Sequence, residues 1–317
     1  MKLLTFLSGD KPLLGVLVGE DVLDVNAALR QGLGGTDLPK EASRELNMLS
    51  LLEMRGEGLD LVREVVAETR TLGEDEINGL RVSGVLHRLE DVRLMAPIPR
   101  PRKNIVCLGL NYADHVREAG KEAQGSESLP QRPIYFTKAP TTITGPYDDI
   151  LYPQVTEKLD YEVELALIIG KEGKYIPEDE VYDHIAGYSV FNDVSARDLQ
   201  MSHLQWFKGK SCDTFSPMGP YLVTSDEVAD PQRLDICCKV NGETRQSSDT
   251  SKMIFDIKKI VSTLSAGMTL EVGDIIATGT PSGVGSAHPS GLLKAGDIVE
   301  CTVEGLGSIV NRVVSES

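Results

Sequence analysis

Leu159-Asp160-Tyr161-Glu162-Val163-Glu164-Leu165-Ala166-Leu167-Ile168-Ile169 is the stretch that sets the reading of this chain. In an extended backbone, successive side chains point to opposite faces. Asp160, Glu162 and Glu164 therefore share one face, and Tyr161, Val163 and Leu165 the other. From Leu165 onward both faces are apolar, as expected of a strand from Tyr161 to Ile169 that runs into a core. Two glutamates at i and i+2 before that core would be costly to bury without a cation. A divalent ion bound through oxygens would neutralise both, and an all-carboxylate set suits magnesium, manganese or calcium rather than zinc or copper. The competing reading is a strand whose acidic side faces solvent.

Working outward, apolar runs predict further strands at Ile105 to Leu110, Ile134 to Thr137, Ala186 to Asn192, Tyr221 to Thr224, Leu234 to Val240, Ile275 to Thr278 and Ile298 to Val303. These define a large mixed β body. Upstream, Leu3 to Leu7, Leu13 to Val18 and Val22 to Val25 are separated by turn residues and read as a β-meander. Helical spacing follows over Glu41 to Met54 and Leu59 to Thr69. The prolines at 97, 99 and 101 form an extended tether. The fold class is therefore α+β and β-rich, with a small N-terminal α/β domain over 1–95 and a larger mixed-β domain over 96–317.

Composition narrows the function. The 317 residues carry 32 Lys+Arg against 48 Asp+Glu, a formal charge of −16 that repels phosphate backbones and anionic lipid, so neither nucleic acid nor membrane is an expected partner. The first ten residues lack the pattern of a signal peptide, and no apolar stretch is long enough to span a bilayer. Five scattered cysteines without a CxxC pair fit a reducing cytoplasm, and Cys237 and Cys238, adjacent on a strand, must face opposite ways.

Several residues carry candidate chemistry. Asp193 sits where the run ending at Asn192 emerges, and would supply a third acid. Ser195 reads as the cap of a helix with Asp198 in a capping box, placing Arg197 and Gln200 on one face. In Asn111-Tyr112-Ala113-Asp114-His115-Val116-Arg117-Glu118-Ala119-Gly120, Asn111 reads as an N-cap and Gly120 as a stop. Three residues apart on such a helix, Glu118 can orient His115 as a general base; the alternative is an ordinary exposed pair. The polar stretch that follows, to Pro130, suits a lid. Lys208-Gly209-Lys210-Ser211 lacks the first glycine of a P-loop, since Leu204 stands there. Lys210 can still meet a carboxylate or enolate, or else is a solvated loop charge. The glycines of Thr278-Gly279-Thr280-Pro281-Ser282-Gly283-Val284-Gly285 free the backbone to turn N–H groups towards an anion, or simply make a tight turn. There is no GxGxxG after a strand, no HExxH and no GxSxG.

In order along the chain, Gly109 to His115, Tyr135-Phe136-Thr137-Lys138-Ala139-Pro140, Leu159 to Leu165, Asn192 to Gln200, Gly209-Lys210-Ser211 and Thr278 to Gly285 resemble the fumarylacetoacetate hydrolase superfamily. The resemblance spans roughly Val92 to Val310, and the N-terminal part looks like the extra domain of longer bacterial members. It implies a mixed β-roll catalytic domain, a homodimer, and Mg2+ or Mn2+ held by Glu162, Glu164 and Asp193. It further implies His115 and Glu118 as catalytic dyad, Lys210 as active-site lysine, and Arg197, Gln200, Gly279 and Thr280 around the substrate. Founding members carry an extra aspartate ligand where Cys107-Leu108-Gly109 has no acid. This departure points to the pyruvate-handling branch: C–C cleavage of a small 2-oxo acid through a pyruvate enolate, as in acylpyruvate hydrolase or oxaloacetate decarboxylase. The alternatives are isomerisation or hydration of 2-hydroxyhepta-2,4-diene-1,7-dioate-type substrates, and a non-catalytic metabolite-binding protein.

Overall fold

The computed structural model describes residues 1–35, 44–122, 129–288 and 291–316. The opening meander forms as strands Lys2–Ser8, Lys11–Val18 and Asp21–Asp24, turning at Gly9 and Gly19. Val25, expected to end the third strand, instead opens helix Val25–Arg30, because the Asp24 carboxylate accepts from the Ala27 N–H at 2.9 Å and caps it.

Helices Met48–Glu53 and Gly56–Thr69 lie where the spacing predicts them, but the first starts at Met48 rather than Glu41. Residues 41–43 fall outside the described residues, and 44–47 are not helical. The reason is local. The buried Asn26 amide accepts from the Leu46 N–H at 2.7 Å and donates to the Leu46 carbonyl at 2.8 Å, while Asn47 and Ser50 form a capping box. Helix Glu74–Val82, with only Leu80 buried, had no apolar periodicity to announce it.

The meander does not stand apart from the β body. One sheet runs in the order Leu86–Arg88, Asp21–Asp24, Lys11–Val18, Lys2–Ser8, Ser216–Thr224, Ile185–Asn192, Val163–Ile169, Ile275–Ala277, Ile105–Gly109, Ile134–Lys138. The join is antiparallel, with Leu3 opposite Leu222. The boundary proposed at residues 95 and 96 falls directly after Met95, which pairs with Thr5. A second sheet orders Glu243–Asp249, Asp235–Val240, Ile298–Val303, Gly307–Ser315 and Ile150–Tyr152. Its Glu243–Asp249 edge strand is too polar to be read from the sequence, whereas Gly307–Ser315 has a usable alternation, with Ile309, Asn311 and Val313 buried between less buried neighbours.

All residues of Val163–Ile169 are buried, so both faces of the strand are covered. Leu165, Leu167 and Ile169 pack in one cluster with Cys238, Cys301 and Ile309 of the second sheet. Ala166 and Ile168 pack in another with Leu3, Leu222 and the helical residues Leu51, Leu61 and Val65. Cys238 is buried opposite Cys301 and its neighbour Cys237 is only half-buried, as strand alternation requires. The architecture is the β-rich α+β type expected. Among the described residues no helix is long and apolar enough to cross a membrane.

Candidate active site

The antiparallel pairing of Val163–Ile169 with Ile185–Asn192 sets Val163 opposite Asn192, so the start of one strand meets the end of the other. The Asp193 N–H donates to the Glu162 carbonyl at 2.8 Å, and Glu162, Glu164 and Asp193 each offer a carboxylate oxygen within 4.8 Å of the others. All three are buried, which excludes a solvent-facing acidic side. Asp160, aligned with the glutamates by simple alternation, does not join them. The strand is interrupted: Leu159–Asp160 pairs separately with Ser195–Ala196, and the ladder restarts at Val163. The Asp160 carboxylate accepts from the N–H groups of Tyr161, Gly285 and Ser286 at 2.8, 2.6 and 3.0 Å, and from Arg197 Nε at 2.8 Å.

Three cations surround the cluster. Lys210 is buried rather than a solvated loop charge; its Nζ donates to Glu162 Oε2 and Asp193 Oδ2, both at 2.7 Å. Arg197 Nη2 pairs with Glu162 Oε1 at 2.7 Å, and its Nη1 donates to Gln200 Oε1 at 3.0 Å, so Arg197 and Gln200 do share a face. Lys138, quoted for the resemblance but given no role, is fully buried and donates to Asp193 Oδ1 at 2.5 Å and the Val194 carbonyl at 3.0 Å. A lysine closing an apolar strand directly before Ala139-Pro140 was the signal that could have found it. The Arg197–Ser202 helix follows Ala196, not a Ser195 cap. Ser195 Oγ donates instead to the Asp193 carbonyl at 2.9 Å, and Asp198 accepts from the Thr156 hydroxyl and from the Glu157 N–H.

Burial raises both glutamates, with opposite outcomes. At Glu162 it is outweighed by Lys210, Arg197 and His115, which hold the carboxyl well below the usual range. At Glu164 burial, reinforced by Asp193 and Glu162, pushes the carboxyl well up. Lys210 is opposed by burial but raised on balance by Asp193 and Glu162, whereas burial lowers Lys138 despite Asp193. Glu164 Oε2 accepts from the Gly279 N–H at 2.7 Å, while Oε1 is buried with no partner among the described residues. An unpartnered carboxylate oxygen, in a set of oxygen donors where an ammonium already bridges the other two acids, fits a hard divalent cation.

His115 Nδ1 lies 3.2 Å from Glu118 Oε2 on helix Ala113–Glu122, so the two expected partners are together. His115 is buried, not an exposed helical residue. Gly120 does not stop the helix, and Asn111 does not cap it. The Asn111 amide is drawn elsewhere: it donates to the Thr278 and Phe255 carbonyls at 2.8 and 3.1 Å and accepts from the Phe255 N–H at 2.9 Å. Leu110, at φ 56°, makes the turn from the Ile105–Gly109 strand towards this helix. Residues 123–128 of the expected lid lie outside the described residues.

The anions met by the glycine-rich loop are the protein's own. Besides Gly279 on Glu164, the Gly283 N–H donates to both oxygens of Glu118, at 2.9 and 3.1 Å, and Gly285 serves Asp160. The Thr280 hydroxyl is also committed, donating to the Val163 carbonyl and accepting from Gln246 Nε2, each at 2.8 Å. Gln246 ties this loop to the central strand by accepting from the Val163 N–H at 3.0 Å; it stands in the polar edge strand and had no sequence signal. Gly283 has φ +101°, and a Cβ there would lie 2.0 Å from the Arg245 carbonyl oxygen. Gly283→Ala should therefore lower stability by on the order of 3 kcal/mol, read by thermal unfolding, and uncouple Glu118 from the loop.

The site thus gathers three buried acids, two buried lysines and a His115–Glu118 pair on a mixed β body, and comparison with known proteins gives its class: the fumarylacetoacetate hydrolase family of enzymes. Residues 104–314 match the model of the fumarylacetoacetate (FAA) hydrolase C-terminal domain, and the chain belongs to that family. It is 46% identical over 273 residues to the oxaloacetate tautomerase YisK of Bacillus subtilis, covering 83% of this chain and 86% of that protein. Among solved structures, a fumarylacetoacetate hydrolase from psychrophilic Exiguobacterium antarcticum is 37% identical with a TM-score of 0.75, covering all of both chains. The 2-hydroxyhepta-2,4-diene-1,7-dioate isomerase from Mycobacterium marinum is 30% identical, with a TM-score of 0.70 over all of this chain and 99% of that one.

Proposed function

We propose that this enzyme carries a small 2-oxo acid through its enolate, with Mg2+ or Mn2+ held by Glu162, Glu164 and Asp193, and that keto–enol tautomerisation of oxaloacetate is its first-choice reaction. The observation that carries the reading is the buried triad with its unpartnered Glu164 Oε1. The name of the Bacillus subtilis relative supports the substrate. When bound, the ion supplies Lewis acidity to the 2-oxo acid's carboxylate and keto oxygens.

The chain's own groups do the rest. Lys210 brings positive charge to the oxygen on which enolate charge develops. Glu118, accepting from His115 Nδ1, leaves Nε2 to remove and return the proton at C3. Arg197 and Gln200 are assigned to substrate contact; they are held to each other, and Arg197 also to Glu162. The Gly279 N–H and the Thr280 hydroxyl, expected near the substrate, are committed inside the protein. The same His115–Glu118 pair supports a second reading, in which it activates water for C3–C4 cleavage of an acylpyruvate; loss of carbon dioxide from oxaloacetate needs only the shared enolate. The reading carries the sequence expectation of a cytoplasmic homodimer.

The test supplies oxaloacetate with Mg2+, Mn2+ or a chelator, and follows the enol by ultraviolet absorbance and pyruvate by coupled lactate dehydrogenase. Metal-dependent enol–keto conversion without pyruvate is the expected result. Metal-dependent pyruvate release would select cleavage, and conversion unaffected by chelator would reject the metal.

A further inference from the structure

Asp193 is gripped by two lysines, one on each oxygen: Lys138 on Oδ1 and Lys210 on Oδ2. Their settings differ. Lys138 ends the Ile134–Lys138 strand, with its backbone in the ladder opposite Ile105, and its second acceptor is the Val194 carbonyl. That carbonyl lies outside the carboxylate set, and Lys138 has no exposed surface through which its ammonium could reach water. Lys210 lies on the one-turn helix Phe207–Lys210, and among the described residues its Nζ donates to Glu162 Oε2 and Asp193 Oδ2, two oxygens of the proposed ligand set. The same Nζ lies over the Phe136 ring, 5.1 Å from its centroid.

Resting on the metal reading above, we infer that the two lysines have opposite duties. Lys138 is a positioning residue that fixes the Asp193 carboxylate for the ion, whereas Lys210 fills the ion's charge position and yields it on loading. A residue that orients a metal ligand strengthens the site, and its loss weakens binding by about 10–100-fold. A cation occupying the site competes with the ion, and its loss strengthens binding.

The experiment is calorimetric titration of Mn2+ alone into the chelator-stripped full chain, for wild type, Lys138→Met and Lys210→Met, with thermal unfolding of each in the absence of metal. Expected are Mn2+ affinity weakened about 10–100-fold in Lys138→Met and tightened in Lys210→Met. Unchanged or tighter binding in Lys138→Met, or weaker binding in Lys210→Met, overturns the division of duties while leaving the metal reading intact. Absence of Mn2+ binding in wild type overturns the metal reading and the division with it. Should Lys138→Met fail to fold, the structure of Mn2+-loaded wild type decides. Lys138 Nζ retained on Asp193 with Lys210 Nζ withdrawn from Glu162 and Asp193 supports the inference, and the reverse overturns it.

Discussion

Glu162→Gln should lower turnover of oxaloacetate by about 10²–10³-fold or more and abolish measurable Mn2+ binding. Glu162 pairs through one oxygen with Arg197 and through the other with Lys210, and is also a member of the carboxylate triad. Its carboxyl is held ionised by those cations, so the substitution removes a full charge rather than a titrating one. Two buried cations, Arg197 and Lys210, then lose a partner, and that loss is larger than the worth of the pair itself. Steady-state kinetics at saturating Mn2+, with calorimetry on the same sample, checks both parts. Turnover within tenfold of wild type would remove Glu162 from the proposed chemistry.

His115→Ala should leave Mn2+ affinity unchanged while slowing turnover by about 10²–10⁴-fold. The side chain touches none of the triad by hydrogen bond; its recorded partner is Glu118, itself held by the Gly283 N–H. The separation of effects is the informative part. Solvent deuterium exchange at C3 of oxaloacetate, corrected for the uncatalysed background, reads the proton transfer directly. Exchange at the wild-type rate in His115→Ala would place the base elsewhere, and a parallel fall in Mn2+ affinity would make His115 part of the metal environment instead.

Legibility varied along the chain with how local the deciding physics was. The Val163–Ile169 strand could be read because a continuous apolar run of that length admits few other outcomes. The helix bearing His115 and Glu118 was found from spacing, yet both expected ends were wrong. Asn111 has two possible employments, capping or bridging to Thr278 and Phe255, and only the packed chain reveals which is closer. Ser195 failed as a cap for the same reason, its hydroxyl finding the Asp193 carbonyl first. Gln246 carries no pattern of its own, and the strand-end position of Lys138 does not name its partner: Asp193 is 55 positions from Lys138, and Thr280 is 34 from Gln246.

The residue types and their periodicity alone determined a β-rich α+β protein with strong net negative charge, an acidic pair running into a core strand, and a histidine one helical turn from a glutamate. These follow from backbone geometry and side-chain solvation, which act over a few residues. Tertiary structure decided the rest. It set Asp160 apart from Glu162 and Glu164 despite identical alternation, because the strand breaks where Gly285, Ser286 and Arg197 claim that carboxylate. It joined the meander to the catalytic sheet through Leu3 and Leu222, and it brought two lysines onto the two oxygens of Asp193. Such choices depend on which partner reaches a buried polar group first in three dimensions, and no local pattern of the chain encodes that distance.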